Sequence, residues 1–285
     1  MKTTLRFNRR KMLAFMGTTG TFGLIGLTTK RGLDFFTGNQ SIFADNKPQL
    51  STGKVNMKTI GILGGFGPQA TMDFEKRLHE AAQRMIEPSM NESYPTMIVF
   101  YHRHPPVVLT ADNNPVIPFK ADPRLLDSAK RMGTMVDFLL IPSNGVHLMQ
   151  NEIEQAAGKK VLSMIDVTLE EVTRRQWKKI GVLGFKSPMI YTKPLEKMGI
   201  ACEVVDAETQ LKLDNAISRV MEGREDVTDH LFVVDLIKQL KEKNVDGIIP
   251  GCTEIPLLLK DKMNVDYIVN PSGLLAEAAI KYAIA

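Results

Sequence analysis

Short apolar runs alternate with amphipathic stretches over most of the chain, beginning near residue 59. Between the first two runs, Phe74, Leu78, Ala81 and Met85 recur at steps of four, three and four, the spacing of a helix that packs on a sheet. Strands that alternate with such helices predict an α/β fold with mostly parallel sheets. The strand-like runs lie at 59–63, 96–101, 136–141, 161–164, 180–183, 201–205, 245–249 and 267–269.

Part of this pattern occurs twice. Segment 60–65 (IGILGG) resembles segment 180–185 (IGVLGF). Segment 141–144 (IPSN) occupies in its half of the chain the place that 250–253 (PGCT) occupies in the other half. The repetition predicts two similar lobes, each a mostly parallel sheet flanked by helices.

We place the first lobe at 58–166, with a C-terminal helix at 271–285 packing on it, and the second lobe at 167–270. In open parallel sheets, ligands bind outside the carboxyl ends of the strands. Ser143 and Cys252 both follow predicted strands, so we expect them to face each other across the cleft between the lobes.

The composition adds limits on size and partners. At 285 residues, with 44% apolar and 24% charged residues, the chain is long enough for one large domain or two lobes with real cores. Of the formal net charge of +4, residues 1–44 carry seven basic side chains and one acidic one, or +6, which leaves −2 for the remainder. With no basic stripe interleaved with aromatic residues, we expect no nucleic-acid partner.

The N-terminal segment 1–44 looks like a twin-arginine export signal, followed by a linker at 45–57. Arg9 and Arg10 stand just before the apolar stretch 14–29. That stretch is short and diluted by glycine and threonine, which favours a signal over a membrane span. We expect a periplasmic or otherwise exported protein with no stable membrane insertion after processing. The alternative is a retained N-terminal membrane anchor.

Cys252 is the first candidate for chemistry, because it lies between a strand-like run and the helical run 255–259. Such a junction offers unpaired backbone N–H groups and the positive end of a helix dipole, which favour a thiolate that can act as a base or a nucleophile. Gly251 leaves room for a ligand, and Thr253 and Glu254 add polar groups on the same turn. The alternative is a small buried hydrophobic residue.

Glycines that follow the first strand predict a tight loop around a small anion, with Gly65 among its contacts. Their spacing does not fit a dinucleotide-binding loop, and Pro68 is expected to open the next helix. The two cysteines of the chain lack zinc-site spacing, and His102 and His104 lack a nearby acidic or cysteine partner. We therefore expect no metal.

Four segments, taken in order, resemble the aspartate/glutamate racemase family over nearly all of the chain after residue 58. They are 60–71 (IGILGGFGPQAT), 113–118 (NNPVIP), 141–147 (IPSNGVH) and 251–256 (GCTEIP). The resemblance implies two pseudosymmetric α/β lobes and catalysis without metal or pyridoxal phosphate, hence no cofactor. It also implies a small-molecule substrate, either an amino acid or a dicarboxylate-like acid, and a homodimer.

The family uses two cysteines on opposite sides of the substrate's α-carbon. Cys252 matches the second of them, whereas Ser143 stands at the position of the first and Gly145 at that of a neighbouring threonine. A serine hydroxyl gives up its proton far less readily than a thiol, so Ser143 would serve mainly as a donor and turnover should differ between the two directions. Water or His147 would return its proton; the alternative for His147 is a structural histidine.

The resemblance also implies two cations for the substrate. Lys120 and Lys186 match basic positions of the family and suit a dicarboxylate. The alternative for each is a solvated surface lysine. Phe119 replaces an acidic residue of the family pattern, so a substrate side chain less polar than that of aspartate is expected to be accepted.

The remaining candidates lie beside the two catalytic positions. Asn144, Thr253 and Asn114 are expected to hold the α-carboxylate through side-chain and backbone N–H groups, with Gly145 next to them. Glu254 is expected to position a water or to cap its own helix.

Two alternatives to an amino-acid racemase stay open on these residues. Periplasmic solute-binding proteins are also exported and built of two α/β lobes around a cleft. A single competent cysteine also resembles the arylmalonate decarboxylases, which protonate an enediolate after carbon dioxide leaves. The retained Cys252 favours an enzyme of the isomerase class, because binding alone gives no reason to keep a reactive thiol in an oxidising compartment.

Overall fold

The computed structural model describes residues 56–112, 114–263 and 265–285. The export signal expected at 1–44 lies outside these ranges, as does the linker expected at 45–57 apart from its last two residues. Within the described ranges, no helix is both long enough and apolar enough to cross a membrane.

In the part of the chain that the structure describes, seven strands form two parallel sheets. The first sheet has the order β2-β1-β3-β4 and the second the order β6-β5-β7. The strands are β1 Ile60–Gly64, β2 Met97–Tyr101, β3 Phe138–Leu140, β4 Val161–Leu162, β5 Lys179–Leu183, β6 Ala201–Glu203 and β7 Gly247–Pro250. The glycine-containing run that the two halves share forms an inner strand of each sheet, β1 and β5. The predicted α/β class with parallel sheets is confirmed.

The prediction of a strand at 267–269 is wrong. Only Ile268 pairs there, in a single parallel bridge to Ile248 of β7. The chain leaves the sheet almost at once, because Asn270 accepts a hydrogen bond from Gly273 N at 3.2 Å and so caps the C-terminal helix. A single bridged residue is too short to count as a strand of the sheet.

Helices connect the strands and cover the sheets. They are α1 Pro68–Met85, α2 Pro123–Gly133, α3 Gln150–Ala157, α4 Met164–Arg174, α5 Met189–Lys197, α6 Ala207–Glu222, α7 Val227–Glu242, α8 Ile255–Leu259 and α9 Pro271–Ile284. Two 3-10 segments, Gly145–Met149 and Lys260–Met263, complete the described part. Pro68 opens α1 as expected, since a proline at the first helical position gives up no needed N–H group.

Both faces of the first sheet are covered, because successive residues of a strand point to opposite sides. Ile62 shares a core with Phe74 of α1 and Ile280 of α9, whereas its neighbour Leu63 shares a core with Met132 of α2. Each such side chain, fully buried, contributes about 1.5–3 kcal/mol. The last helix therefore packs on the first sheet, after the chain has passed through the second.

The second sheet is covered in the same way. Val182 lies in a core with Tyr191 of α5, and Leu183 lies in a core with Leu236 of α7 and Leu258 of α8. With helices on both faces of each sheet, the open positions are at the carboxyl ends of the strands.

Candidate active site

Ser143 and Cys252 lie at equivalent places in the two lobes. Ser143 follows the carboxyl end of β3, and Cys252 follows the carboxyl end of β7. Both side chains are half-buried, which leaves each partly accessible at the edge of its sheet. This is the edge at which open parallel sheets bind ligands.

Tyr191 joins the two turns. Its hydroxyl donates to Asn144 Oδ1 at 2.6 Å, next to Ser143. Its ring lies against Gly251, where an added Cβ would meet ring carbons at 3.0 and 3.2 Å and the carbonyl oxygen of Leu183 at 2.7 Å. Gly251 is therefore needed for the close approach of the ring and β5, and the second turn packs directly on a residue that hydrogen-bonds the first.

Tyr191 was not among the predicted site residues. It lies 47 residues from Asn144 along the chain, so no local spacing connects them. Within α5, Tyr191 and Leu195 are one helical turn apart and both are fully buried, which marks them only as an ordinary apolar stripe. The one available signal was that a residue of this buried stripe carries a hydroxyl group. Buried tyrosine hydroxyls usually have a hydrogen-bond partner, which predicts a contact without saying with which residue.

Cys252 is paired with a carboxylate. Its Sγ donates to Glu254 Oε2 at 3.0 Å, and Thr253 Oγ1 donates to the same oxygen at 3.2 Å. Burial and the negative charge of Glu254 raise the pKa of the Cys252 thiol well above its ordinary value. Burial also raises the pKa of Glu254, which is 4% exposed.

The expectation of a thiolate favoured by the helix dipole is therefore wrong for the resting site. The helix that follows, α8, has only five residues, and Glu254 itself stands at its N-cap position. A full negative charge in contact with the sulfur outweighs the partial positive charge at a short helix end. Glu254 does not cap α8 through its side chain; it accepts the hydrogen bond of the thiol instead.

Glu254 also touches the first lobe. A Cβ placed on Gly67 would overlap Glu254 Oε1, so the carboxyl group lies directly against the loop before α1. The glycine-rich loop thus makes room for a carboxylate that the chain itself supplies from its second lobe.

Gly65 has a different role from the ligand contact that was expected. Its backbone N–H donates to Thr71 Oγ1 at 2.9 Å, so that donor is already used. Its φ of +90° and the backbone of His102, which an added Cβ would meet at 2.7 Å, both require glycine. The residue therefore shapes the loop.

His147 is a structural histidine in this structure. Its ring donates through Nδ1 to the carbonyl oxygen of Ser143 at 2.8 Å, and Nε2 accepts from the backbone N–H of Met164 at 3.1 Å. Burial lowers the pKa of His147, which favours the neutral ring. Neither ring nitrogen bonds the Ser143 hydroxyl, so the expected return of a proton from His147 is not supported; the ring instead fixes the backbone at Ser143.

Asn144 is a predicted carboxylate-binding residue whose side-chain donor is buried and unpaired in the described part of the chain. Its side chain is 3% exposed, and Oδ1 is held by Tyr191. Among the described residues, Nδ2 has no hydrogen-bond partner. A buried amide without a partner costs about 1–3 kcal/mol, so this position favours a ligand that accepts a hydrogen bond.

Four predicted residues are exposed. Gly145 belongs to the turn after β3, whereas the other three make no hydrogen bond to either turn among the described residues. Asn114 and Lys120 belong to an excursion between β2 and α2 that pairs through its own backbone. The backbone N–H of Lys186 donates to Asp214 Oδ1 at 2.7 Å, and its ammonium lies 5.5 Å from the centroid of its neighbour Phe185. A Cβ on Gly145 would meet nothing within 4 Å. Their roles stay predictions.

The described residues contain no group of three or more His, Cys, Asp or Glu side chains arranged to hold a metal ion. His102 is buried and lies 3.3 Å from Ser128 Oγ through its Nδ1. Its ring packs edge-on against His104, with centroids 5.6 Å apart. The pair is part of the packing beside β2.

Comparison with known proteins finds amino-acid racemases among the relatives of this chain. The sequence profile described as Asp/Glu/Hydantoin racemase matches residues 63–278. The chain is 25% identical over 230 residues to the broad specificity amino-acid racemase RacX of Bacillus subtilis (strain 168). The matched region covers 79% of this chain and 98% of that protein.

Solved structures share the fold. An aspartate racemase homologue from Pyrococcus horikoshii OT3 superposes with a TM-score of 0.60 at 24% identity and covers 80% of this chain and 99% of its own. The aspartate racemase of Picrophilus torridus gives a TM-score of 0.59 at 22% identity, with 79% and 94% covered.

Proposed function

Because the chain belongs to the Asp/Glu/Hydantoin racemase family, we propose that it is a cofactor-independent amino-acid racemase in which Cys252 and Ser143 act on opposite faces of the α-carbon. Racemases are isomerases, and the chain is an enzyme of that class. The observation that carries the proposal is the 3.0 Å hydrogen bond from Cys252 Sγ to Glu254 Oε2. It gives the thiol a proton acceptor in direct contact.

The proposed reaction begins with transfer of the thiol proton to Glu254. The Cys252 thiolate then removes the α-proton of the substrate, and the electron pair moves onto the carboxylate to form an enediolate. Ser143 delivers its hydroxyl proton to the opposite face of the α-carbon. Water returns a proton to the serine oxygen and Glu254 releases its proton to water, so the site regains its starting state with no net gain or loss of protons.

The two directions of this reaction are unequal. The pair of Cys252 and Glu254 can remove a proton from the enantiomer whose α-hydrogen faces the sulfur, since Glu254 is in hydrogen-bond contact with the thiol and can accept its proton. Among the described residues, Ser143 has no carboxylate or free imidazole bonded to it, so it is a weak base and a better donor. One enantiomer should therefore exchange its α-hydrogen much faster than the other.

We propose that the substrate is an amino acid whose α-carboxylate is bound by Asn144. The open Nδ2 donor of Asn144, one residue from Ser143, supports this assignment. The Bacillus subtilis relative is named for broad specificity, and Phe119 replaces an acidic residue of the family pattern. Both facts support a test on many amino acids rather than on aspartate and glutamate alone.

Incubation in heavy water tests the proposal. Each enantiomer of the protein amino acids is incubated with the processed protein, and α-deuterium is read by NMR or mass spectrometry. We expect exchange with at least one amino acid and its complete loss in Cys252→Ala. Cys202→Ala is the matched control, because Cys202 is also a free, half-buried thiol, with a pKa raised to about 11, but lies in β6 away from Glu254.

Ser143→Ala separates the two faces. This variant should stop interconversion of the enantiomers and still exchange the α-hydrogen of the one that faces Cys252. If wild type exchanges the α-hydrogen and Cys252→Ala still does so, the assignment of Cys252 as the base is overturned.

A binding protein on the same scaffold is the second candidate, and the unpartnered Asn144 amide suits it equally well. A binder would show tight, saturable binding without α-exchange, and Cys252→Ala would leave the affinity unchanged. Absence of exchange from the whole panel together with such binding would replace the racemase proposal.

We also propose that the protein is exported through its twin-arginine segment and acts as a homodimer. Arg9 and Arg10 ahead of an apolar stretch support export, and the family resemblance supports the dimer. Changing both arginines to lysine should keep the unprocessed chain in the cytoplasm, as seen by fractionation. Light scattering of the processed protein should give twice the mass of one chain; the single-chain mass would exclude the dimer.

A further inference from the structure

The hydroxyl of Tyr191 reaches from the second lobe to an amide of the first. We propose that Tyr191 is a positioning residue: it holds the Asn144 side chain in the orientation that presents both hydrogens of Nδ2 to the carboxylate of the substrate. The inference rests on the proposed function, and it adds a residue that touches neither the substrate nor the reacting atoms.

Tyr191 is itself rigidly placed. It is fully buried, and its ring shares a core with Leu195 of its own helix and Ile249 of β7. The face of the ring that lies against Gly251 leaves no room for even a methyl group there without displacement. A side chain fixed on this many sides holds its hydroxyl at a defined point.

The direction of the hydrogen bond follows from the protonation state of Tyr191. Burial raises the pKa of the phenol far above its ordinary value, so the hydroxyl keeps its hydrogen and donates it. Two acceptors lie near, Asn144 Oδ1 at 2.6 Å and Thr168 Oγ1 at 3.5 Å. Thr168 gives its own hydrogen to the carbonyl oxygen of Met164 at 2.7 Å. The shorter bond to Asn144 is therefore the main one.

Fixing Oδ1 fixes the whole amide. With the carbonyl oxygen turned to Tyr191, Nδ2 must point to the other side, where it meets no acceptor among the described residues. A carboxylate there would satisfy a buried donor that is otherwise unpaired. Loss of the α-proton places more negative charge on that carboxylate, so a preorganised N–H donor binds the enediolate more strongly than the substrate.

Tyr191→Phe tests the inference, because it removes the hydroxyl and keeps the ring against Gly251. With the fastest-exchanging amino acid of the panel, we expect kcat/KM to fall about tenfold, in line with a donor that must now find its own orientation. KM should rise and kcat should fall. In the Asn144→Ala background the same change should have no further effect, since the amide through which Tyr191 acts is gone. Tyr94→Phe is the control; its hydroxyl accepts from Gln83 Nε2 at 2.8 Å on the surface.

A second readout does not depend on activity. In the ¹⁵N-labelled processed protein, the Nδ2 signals of Asn144 are identified by their loss in Asn144→Ala. Tyr191→Phe should shift or broaden them, and Tyr94→Phe should not. Unchanged signals, or a kcat/KM within twofold of wild type, would overturn the inference. If no amino acid exchanges in wild type, the proposed function fails, and the Asn144 signals alone decide whether Tyr191 orients the amide.

Discussion

The turn after β3 and the turn after β7 occupy matching places in the two lobes, and they differ in how they treat their reactive group. The thiol of Cys252 donates a hydrogen bond to Glu254, which also accepts one from Thr253. The Glu254 carboxyl group lies against Gly67 in the loop before α1 of the other lobe. Ser143 has its backbone fixed by His147, whose ring is fully used by main-chain groups. One turn pairs its reactive group with a proton acceptor; the other holds a hydroxyl in place without one.

The difference teaches that two turns at matching strand ends can differ in proton chemistry. A base needs a neighbour that can take its proton, and within the described ranges the second turn supplies one in Glu254 whereas the first turn does not. A donor needs a defined position, and the first turn supplies that through His147 and the neighbouring Asn144. The two turns are therefore suited to different halves of one reaction.

Removing the acceptor from the second turn should give the largest effect. Glu254→Gln keeps the shape and loses the charge, so the thiol proton has no acceptor and exchange of the α-hydrogen should fall about 100-fold or more. Loss of the nearby negative charge should at the same time lower the pKa of Cys252. Alkylation of Cys252 by iodoacetamide across pH measures this shift independently of turnover.

The two readouts of Glu254→Gln move in opposite directions, which distinguishes a lost base from a damaged fold. Glu225→Gln, an exposed carboxylate on the loop between α6 and α7, is the control and should change neither. Turnover within threefold of wild type would show that Cys252 does not depend on Glu254, and the contrast between the two turns would lose its basis.

Displacing the acceptor without removing it should have a smaller effect. The backbone of Gly67 is extended, with φ −136°, so alanine is not strained there; its Cβ would simply overlap Glu254 Oε1. Gly67→Ala should push the carboxyl group away from the sulfur, lower turnover about tenfold and reduce the free energy of unfolding by about 1–3 kcal/mol. Kinetics and denaturant unfolding measure the two losses.

Gly273→Ala is the matched control for this change. It places the same methyl group in α9, outside the candidate site, where an added Cβ would meet only side-chain atoms of Asn270 at 3.6 Å or more. Turnover should stay at the wild-type value, and stability should not fall. Equal losses in the two variants would mean that the glycine loop does not act through Glu254.

Most of the fold follows from the sequence because it depends on local patterns. Strands buried on both faces are continuous apolar runs, and the stripe from Phe74 to Met85 marks a helix that packs on them. The run at 267–269 has the same composition, and it fails as a strand because Asn270 ends it from outside the apolar pattern. An apolar composition indicates that a segment is buried. To form a strand, the segment must also be long enough to pair over several residues.

The site follows from the sequence less well because its decisive contacts are tertiary. Spacing indicated Cys252 and the neighbouring Glu254, and it could not show that the carboxylate turns back onto the sulfur and outweighs the helix dipole. The contact of His147 with Ser143 spans four residues and was within reach of sequence reasoning. Its second contact, with Met164, and the whole role of Tyr191 depend on how distant segments pack.

The smallest expected effect concerns His147 and the first turn. The folded state favours the neutral ring, so the pKa of His147 is lower in the folded than in the unfolded chain, whose ordinary value is 6.5. Below that value the unfolded chain binds the extra proton, and the stability from the neutral ring is lost as pH falls.

Relative to His147→Asn, which keeps an N–H donor for the Ser143 carbonyl but cannot ionise, wild type should lose about 1.4 kcal/mol in free energy of unfolding per pH unit below 6.5. Denaturant unfolding from pH 7 to 5 measures the difference. Parallel curves for wild type and His147→Asn would mean that the ring accepts a proton in the folded protein, and the first turn would then have an ionisable partner for Ser143, as the second turn has Glu254 for Cys252.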